Sequence, residues 1–366
     1  VNNQPHSVLS ADFDWAANEI RKRSLIEIIQ SGDAVLMVGA GCSCKVRYPS
    51  WKSLLTQLES LAVASGSNFE KSEEKKAKRP LEYVDEIKSH IKTHRGTLDD
   101  YERELFRIFD DKPPFNSRFH EALIRLPFCG VLTTNYDNSL ELALRVVGLE
   151  CANRDHLLVV GDDSPPKSSD FLRSLCRSSK LGKRIAHLHG HIERRRSIVL
   201  SESEYRTHYG IDERSPDLMN LVRKFLWTIF ATRPVVFVGF SMTDPYLTRM
   251  LEMVQTDFWS LNRQIHYAIF SIEDDYDPSR VDHLKGKYGV ASVFYEKLDE
   301  THSGLDNLVF EIEQLCLPSN PIEEKNQSPQ QAPSPPPVAE IQRPAAQAWL
   351  SKADQEIEVR IKDRED

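Results

Sequence analysis

Short apolar runs recur through the first 300 residues: "AVLMV" (34–38), "CGVLTT" (129–134), "RIAHLH" (184–189), "PVVFVGF" (234–240), "QIHYAIF" (264–270) and "ASVFY" (291–295). Most are apolar nearly throughout instead of alternating with polar residues, the pattern of strands covered on both faces. Helical spacing fills the intervals. Trp51, Leu54, Leu55, Leu58, Leu61 and Ala62 recur at helix period behind Pro49 and a capping Ser50, while Ser215-Pro216 and Asp244-Pro245 mark two further helix starts. Strand and helix in alternation predict a Rossmann-like α/β fold: a mostly parallel, six-stranded sheet with helices on both faces. Residues 65 to 125 contain no convincing strand and are charged and helical, so an inserted helical lobe is expected there. There is no internal repeat.

The pattern changes at the C-terminal end. Residues 318 to 344 are rich in Pro, Gln and charge and carry too little apolar surface to order themselves, which predicts a linker. Residues 345 to 366 have helix-favouring, charged composition, with Trp349, Leu350, Ile357 and Ile361 as apolar anchors. The expected organisation is thus a domain over 1–317, the linker, and a C-terminal charged helix.

Composition narrows the function classes. Apolar residues make up 40% and charged residues 28% of the chain, and no apolar run approaches the ~20 residues that cross a bilayer, so no membrane association is expected. A formal net charge of −8 argues against broad nucleic-acid binding. The cysteines at 42, 44, 129, 151, 176 and 316 form no C-x-x-C pair, and the first residues lack a basic segment followed by an apolar one. Both point to a reducing cytoplasm.

Chemistry-bearing residues cluster at the ends of the predicted strands. After the first lies "VGAGCSC", in which Gly39, Ala40, Gly41 and Ser43 form a loop able to turn sharply and cradle a diphosphate. A plain tight turn explains the two glycines as well. Cys44 stands where a dinucleotide fingerprint has its third glycine, and Glu59, at about the distance of a ribose-binding acid, falls within a helix; an ordinary nicotinamide dehydrogenase is disfavoured. The second strand closes on "LTTNYD", bringing Thr134, Asn135 and Asp137 toward the same crevice, although Asp137 also suits a helix cap. In "AHLHGHI", His187, His189 and His191 would converge on a metal if the strand ran through Gly190; if it stops there, His189 alone faces the crevice. The fourth run ends in Gly239, Ser241 and Asp244, the last placed to cap the helix that Pro245 begins.

In their order along the chain, "GAGCS" (39–43), "PSW" (49–51), "TTNYD" (133–137), "LHG" (188–190) and "GFS" (239–241) resemble the NAD-binding core of the sirtuins over roughly residues 30 to 300. Two features depart from sirtuin deacylases. No cysteine follows the HG motif where those enzymes carry a four-cysteine zinc module, and Ser50 stands where an acidic residue follows the proline of the first loop. In both respects the chain resembles the sirtuin-like NAD hydrolases of bacterial anti-phage defence, which consume NAD+ as substrate.

The resemblance implies an NAD+ glycohydrolase that releases nicotinamide and ADP-ribose. Nicotinamide leaves as a neutral molecule from a cationic ring, so no acid is required; the protein must hold the ribose, exclude water and present one nucleophile. His189 is then the expected base, Asn135 the amide that positions the ribose hydroxyl or water, and Asp137 their support. Gly39, Ala40, Gly41 and Ser43 would cradle the diphosphate, with Gly239 and Ser241 near the adenosine half and Thr134 and Asp244 as further NAD-binding residues. No metal is expected. Alternatives are an NAD-dependent protein deacylase, a non-catalytic module sensing NAD or ADP-ribose, and a metal-dependent hydrolase built on the three histidines. Because free NAD hydrolysis would harm the host cell, gating is expected, through assembly into a homo-oligomer or with a separate sensor or ATPase protein.

Overall fold

The computed structural model describes residues 13–66, 68–110, 117–149, 157–175, 183–210, 220–257 and 266–317. The linker and C-terminal helix anticipated over 318–366, and the Ser215-Pro216 helix start, lie outside the described residues.

Seven strands form a single parallel sheet: β1 (Val35–Val38), β2 (Gly130–Thr133), β3 (Leu157–Val159), β4 (Ile185–His187), β5 (Val235–Val238), β6 (His266–Ser271) and β7 (Val290–Tyr295), in the order β3-β4-β2-β1-β5-β6-β7. The apolar runs account for all but β3. That strand is a three-residue edge paired only with β4, too short for its "LLV" to stand out from an apolar helix segment.

Alternation along the strands sorts their side chains onto two faces. Val35, Met37, Leu132, Ala186, Val235, Phe237 and Ala268 join one buried cluster, while Leu36, Val38, Val131, Ile185, Val236, Val238 and Ile269 join the other. Helices cover both clusters, so the strands need no polar side. The first is closed chiefly by the helices Leu221–Thr232 and Pro245–Asp257, the second by Trp15–Gln30, Arg118–Arg125, Ser139–Val147 and Ser303–Cys316. No helix among the described residues is long and apolar enough to cross a membrane.

A third cluster stands apart from the sheet. It joins Leu54, Leu55 and Leu58 of the helix Trp51–Ser65 to Tyr83, Val84, Ile87 and Ile91 of Pro80–Arg95 and to Tyr101 and Leu105 of Asp99–Asp110. Ser50 caps the first of these helices through the Ser53 N–H. Glu59 is buried inside this cluster, paired with Lys76 at 2.8 Å and accepting from the Tyr83 hydroxyl at 2.8 Å. Burial works to raise its pKa, but the bonds from Lys76 and Tyr83 outweigh burial and hold it below the usual carboxylate range. This carboxylate serves the packing of the lobe. The helix Arg118–Arg125, by contrast, packs under the sheet.

The order in which strands are added reverses at β1: the chain builds outward from β1 through β2 to β3 and β4, then returns to the other side of β1 with β5, all strands remaining parallel. Loops leaving neighbouring strands diverge at such a switch point, and ligands of open α/β sheets settle in the crevice. Here the two loops are held in backbone contact. Gly39 N–H donates to Val238 O at 2.9 Å and Gly41 N–H to Gly239 O at 3.0 Å. A Cβ on Gly39 would sit 2.5 Å from Gly239 O, and one on Gly239, at φ +72°, would sit 2.7 Å from the Cys42 nitrogen. Replacing Gly39 by Ala should therefore cost about 1–3 kcal/mol in urea unfolding. Gly286→Ala, inside the helix Pro278–Tyr288 with nothing within 4 Å of its would-be Cβ, should be neutral or stabilising by up to about 1 kcal/mol.

Candidate functional site

A cavity opens at the switch point, on the C-terminal edge of the sheet, and draws its wall from loops after four strands. Ala40 and Ser43 come from the segment after β1; Thr134, Asn135 and Asp137 follow β2; His189 follows β4; Gly239, Ser241 and Asp244 follow β5. Tyr48, Trp51 and Phe109 close it from the helical side. Of the residues expected to bind NAD+ or act on it, Gly39 and Gly41 do not line it. Their N–H groups are taken up by β5 and its loop, as described above, so these glycines weld the two loops together and offer no donor to a diphosphate.

Asn135 is fixed at the centre. Its Nδ2 donates to Gly39 O at 3.0 Å and to Ser43 Oγ at 2.8 Å, and its backbone N–H donates to Thr133 Oγ1 at 3.0 Å. Both amide hydrogens are thus held by protein, and Oδ1 is the remaining polar atom of the side chain. Ser43 passes the bond on, donating to Asp137 Oδ2 at 2.6 Å. The other oxygen of Asp137 accepts from the Ser139 N–H at 3.0 Å and from the Ser139 hydroxyl, at the start of the helix Ser139–Val147. Ser43 is therefore a link between Asn135 and Asp137, and Asp137 acts as a turn-forming acceptor with no bond to His189. Their contribution is to lock the loops after β1 and β2 together.

His189 stands opposite, with both ring nitrogens engaged: Nε2 lies 2.8 Å from the Tyr209 hydroxyl and Nδ1 3.0 Å from the Tyr205 hydroxyl. One nitrogen donates and the other accepts, so the imidazole is held neutral. Complete burial pushes its pKa down to about 3. Tyr205 lines the cavity and Tyr209 does not, so the Nδ1 side is the one a ligand can reach. Tyr205 also lies 3.5 Å from Asp244 Oδ2, whose other oxygen accepts from the N–H groups of Tyr246 and Leu247 and so caps the helix Pro245–Asp257. Burial raises the Asp244 pKa against those bonds. Ser241 is exposed at the rim, its hydroxyl 2.7 Å from Thr243 Oγ1.

Tyr205 and Tyr209 are functional candidates that the apolar pattern does not single out. A signal is present nonetheless: they sit four apart on the helix Glu202–Tyr209, which opens with a complete Ser201–Glu204 capping box, so their rings share one face and reach the same imidazole.

The three histidines do not converge. Pairing of β4 ends at His187, and Gly190 at φ +94° turns the chain where a Cβ would meet Ser197 O at 2.2 Å. His189 thus points to the tyrosines, while His187 and His191 lie on the other side, ring centroids 4.6 Å apart, beside Glu141. Among the described residues, Glu141, His187 and His191 are the group able to hold a metal ion.

With this geometry in place, similarity to known proteins becomes informative. A family profile described as "SIR2-like domain" matches residues 130–292, from β2 into β7. Over that stretch the chain is similar to SIR2-like domains. It is 24% identical over 245 residues to a protein named NAD(+) hydrolase ThsA from Enterococcus faecium, covering 66% of this chain and 44% of that one. It is 25% identical over 246 residues to the protein of the same name from Bacillus cereus (strain MSX-D12), covering 67% and 44%. Defense-associated sirtuin 2 of Bacillus subtilis is 24% identical over 260 residues, covering 70% and 22%. The chain therefore spans less than half the length of these relatives in each match.

The buried, neutral state of His189 makes the stability of the fold depend on pH. The unfolded chain protonates this imidazole below about pH 6.5, whereas the folded site resists to about pH 3. The unfolded state holds more protons across that window, so stability is complete above it and falls as acid is added, by up to about 1.4 kcal/mol per pH unit from this group. His189→Asn, which cannot titrate, should flatten the acid limb of urea-unfolding stability measured between pH 4 and pH 7. An unchanged slope would show that the imidazole is already charged in the fold.

Proposed function

We propose that this SIR2-like domain hydrolyses NAD+ between nicotinamide and ribose, giving nicotinamide and ADP-ribose. The observation that carries this is the convergence of two buried side chains, Asn135 and His189, on one cavity at the switch point, one presenting an amide oxygen and the other an imidazole. NAD+ is the substrate, lying across the crevice with its adenosine half toward Gly239, Ser241 and Asp244 and its diphosphate near Ala40 and Thr134. The nicotinamide ribose faces Asn135, whose Oδ1 accepts from a ribose hydroxyl or from the attacking water. His189 Nδ1 takes over that hydroxyl or water when the ligand displaces Tyr205. As the C1′–N bond breaks, its electron pair returns to the pyridinium ring, and the positive centre left on the ribose is met by water, whose proton passes to the imidazole.

A neutral, deeply buried imidazole supports this role in a specific way. It stays an uncharged acceptor throughout the physiological range and adds no positive charge beside a developing cation. Ser43 and Asp137 are positioning residues: they fix the amide plane of Asn135 through the chain of hydrogen bonds between them.

Relatives named NAD(+) hydrolase and defense-associated sirtuin support a role as an effector of anti-phage defence. We place it in the cytoplasm, as a homo-oligomer gated by assembly and by a separate sensor or ATPase protein.

The experiment is chromatography of NAD+ incubated with the protein alone, without acyl-lysine peptide. Wild type should release nicotinamide and ADP-ribose in equal amounts; His189→Ala and Asn135→Ala should each lower the rate by at least ~100-fold with an unchanged circular dichroism spectrum. Release that depends on an acylated peptide would make it a deacylase instead, and tight NAD+ binding with no product would make it a sensing module.

A further inference from the structure

Behind Asn135, away from the cavity, three titratable side chains face one another in the protein interior. Glu141 is on the first turn of the helix after β2, His187 ends β4, and His191 follows the turn at Gly190; they are 7%, 0% and 1% exposed. Their candidate ligand atoms all lie within 4.8 Å of one another. His187 Nε2 is 2.8 Å from Glu141 Oε1, but Glu141 Oε2 and His191 Nε2 are buried with no hydrogen-bond partner. An ion pair between His187 and Glu141 satisfies the first contact and leaves the other two atoms stranded. Buried polar atoms are rarely left so.

We propose that Glu141, His187 and His191 bind a divalent zinc-type cation. Two imidazoles and one carboxylate form the donor set of a borderline cation, one that magnesium and calcium, which prefer oxygen ligands, do not compete for. His187 is already arranged as metal-bound histidines are: its Nδ1 donates to the backbone oxygen of Asn135 at 2.8 Å, which turns the Nε2 lone pair toward Glu141. In a tetrahedral site with bonds of ~2.0–2.2 Å, donor atoms stand about 3.3–3.6 Å apart, so the 2.8 Å His187–Glu141 contact opens slightly, and no separation has to close by more than about 1.5 Å. Binding through His191 Nε2 requires the proton on Nδ1, and so displaces one interaction, the 3.3 Å bond from the Glu193 N–H to His191 Nδ1. The cation would tie the end of β4 to the helix after β2 directly beneath the residue that holds the ribose in the proposed reaction. Its role is to hold the Asn135 carbonyl, and with it the loop, in place.

The test uses the full chain, produced in zinc-supplemented medium and purified by gel filtration without chelator. Elemental analysis should find about one zinc per chain in wild type and at least ~10-fold less in His191→Ala, with the His191→Ala protein still giving a folded circular dichroism spectrum. Cobalt(II) in place of zinc should give the intense visible absorption of a four-coordinate site in wild type and not in His191→Ala. Chelator should lower the wild-type melting temperature and leave that of His191→Ala unmoved. Wild type free of zinc and of the cobalt band would overturn the proposal in favour of a trapped water between Glu141 and His191. Equal zinc in wild type and His191→Ala would overturn it by placing the metal elsewhere. None of these readouts depends on NAD+ cleavage.

Discussion

The contact between two backbone loops, after β1 and after β5, is the constraint on which the rest of the site depends. At the switch point of an open α/β sheet the loops of adjacent strands turn away from each other, and a crevice forms by default. In this chain that crevice is narrowed at its base. Gly39 and Gly239 approach so closely that neither can carry a Cβ, and two backbone hydrogen bonds seal the junction. The glycine pair that suggests a phosphate cradle is therefore structural. From this junction the positions of the functional groups follow outward: Gly39 O takes the Asn135 amide, Ser43 relays to Asp137, and Asp137 holds the start of the next helix.

Across the cavity the groups are arranged on a different principle. His189, Tyr205 and Tyr209 are buried and, with the half-buried Asp244, linked to one another, and desolvation pushes each toward its uncharged form: the imidazole pKa falls, while those of the two phenols and the carboxyl rise. One wall thus holds an amide in a rigid hydrogen-bonded frame, and the other holds an imidazole in a desolvated aromatic pocket. A charged sugar centre formed between them would meet oriented dipoles instead of bulk water. In the proposed reaction the ligand takes the place of the Tyr205 hydroxyl at His189 Nδ1, which would link occupancy of the site to the position of the Tyr205 side chain.

How much of this was legible in the sequence depended on whether a feature was local. Strands β1, β2, β4, β5, β6 and β7 were legible because covering both faces of a parallel sheet makes each an apolar run; β3, three residues at the edge, carries no such excess. Asn135 and His189 could be placed in the crevice because both follow strand ends. The role of Gly39 and Gly41 could not be read, since a turn that admits a phosphate and a turn that admits a neighbouring backbone demand the same residue. The fate of the three histidines depended on one dihedral, that of Gly190, which sends His189 to the tyrosines and leaves His187 and His191 with Glu141, 46 residues away from His187 in sequence. Tyr205 and Tyr209 become visible only once their helix is known to lie over His189.

The central claim is spatial: a dinucleotide bridges the loops after β1, β2, β4 and β5 with its nicotinamide ribose between Asn135 and His189. The most direct measurement is a crystal structure of the His189→Ala protein soaked with NAD+. The account predicts intact NAD+ in this cavity, with a ribose hydroxyl within hydrogen-bonding distance of Asn135 Oδ1 and the Tyr205 ring shifted from the position it holds against His189. Density for the dinucleotide on another surface, or bound here in reverse with adenosine against Asn135, would contradict it.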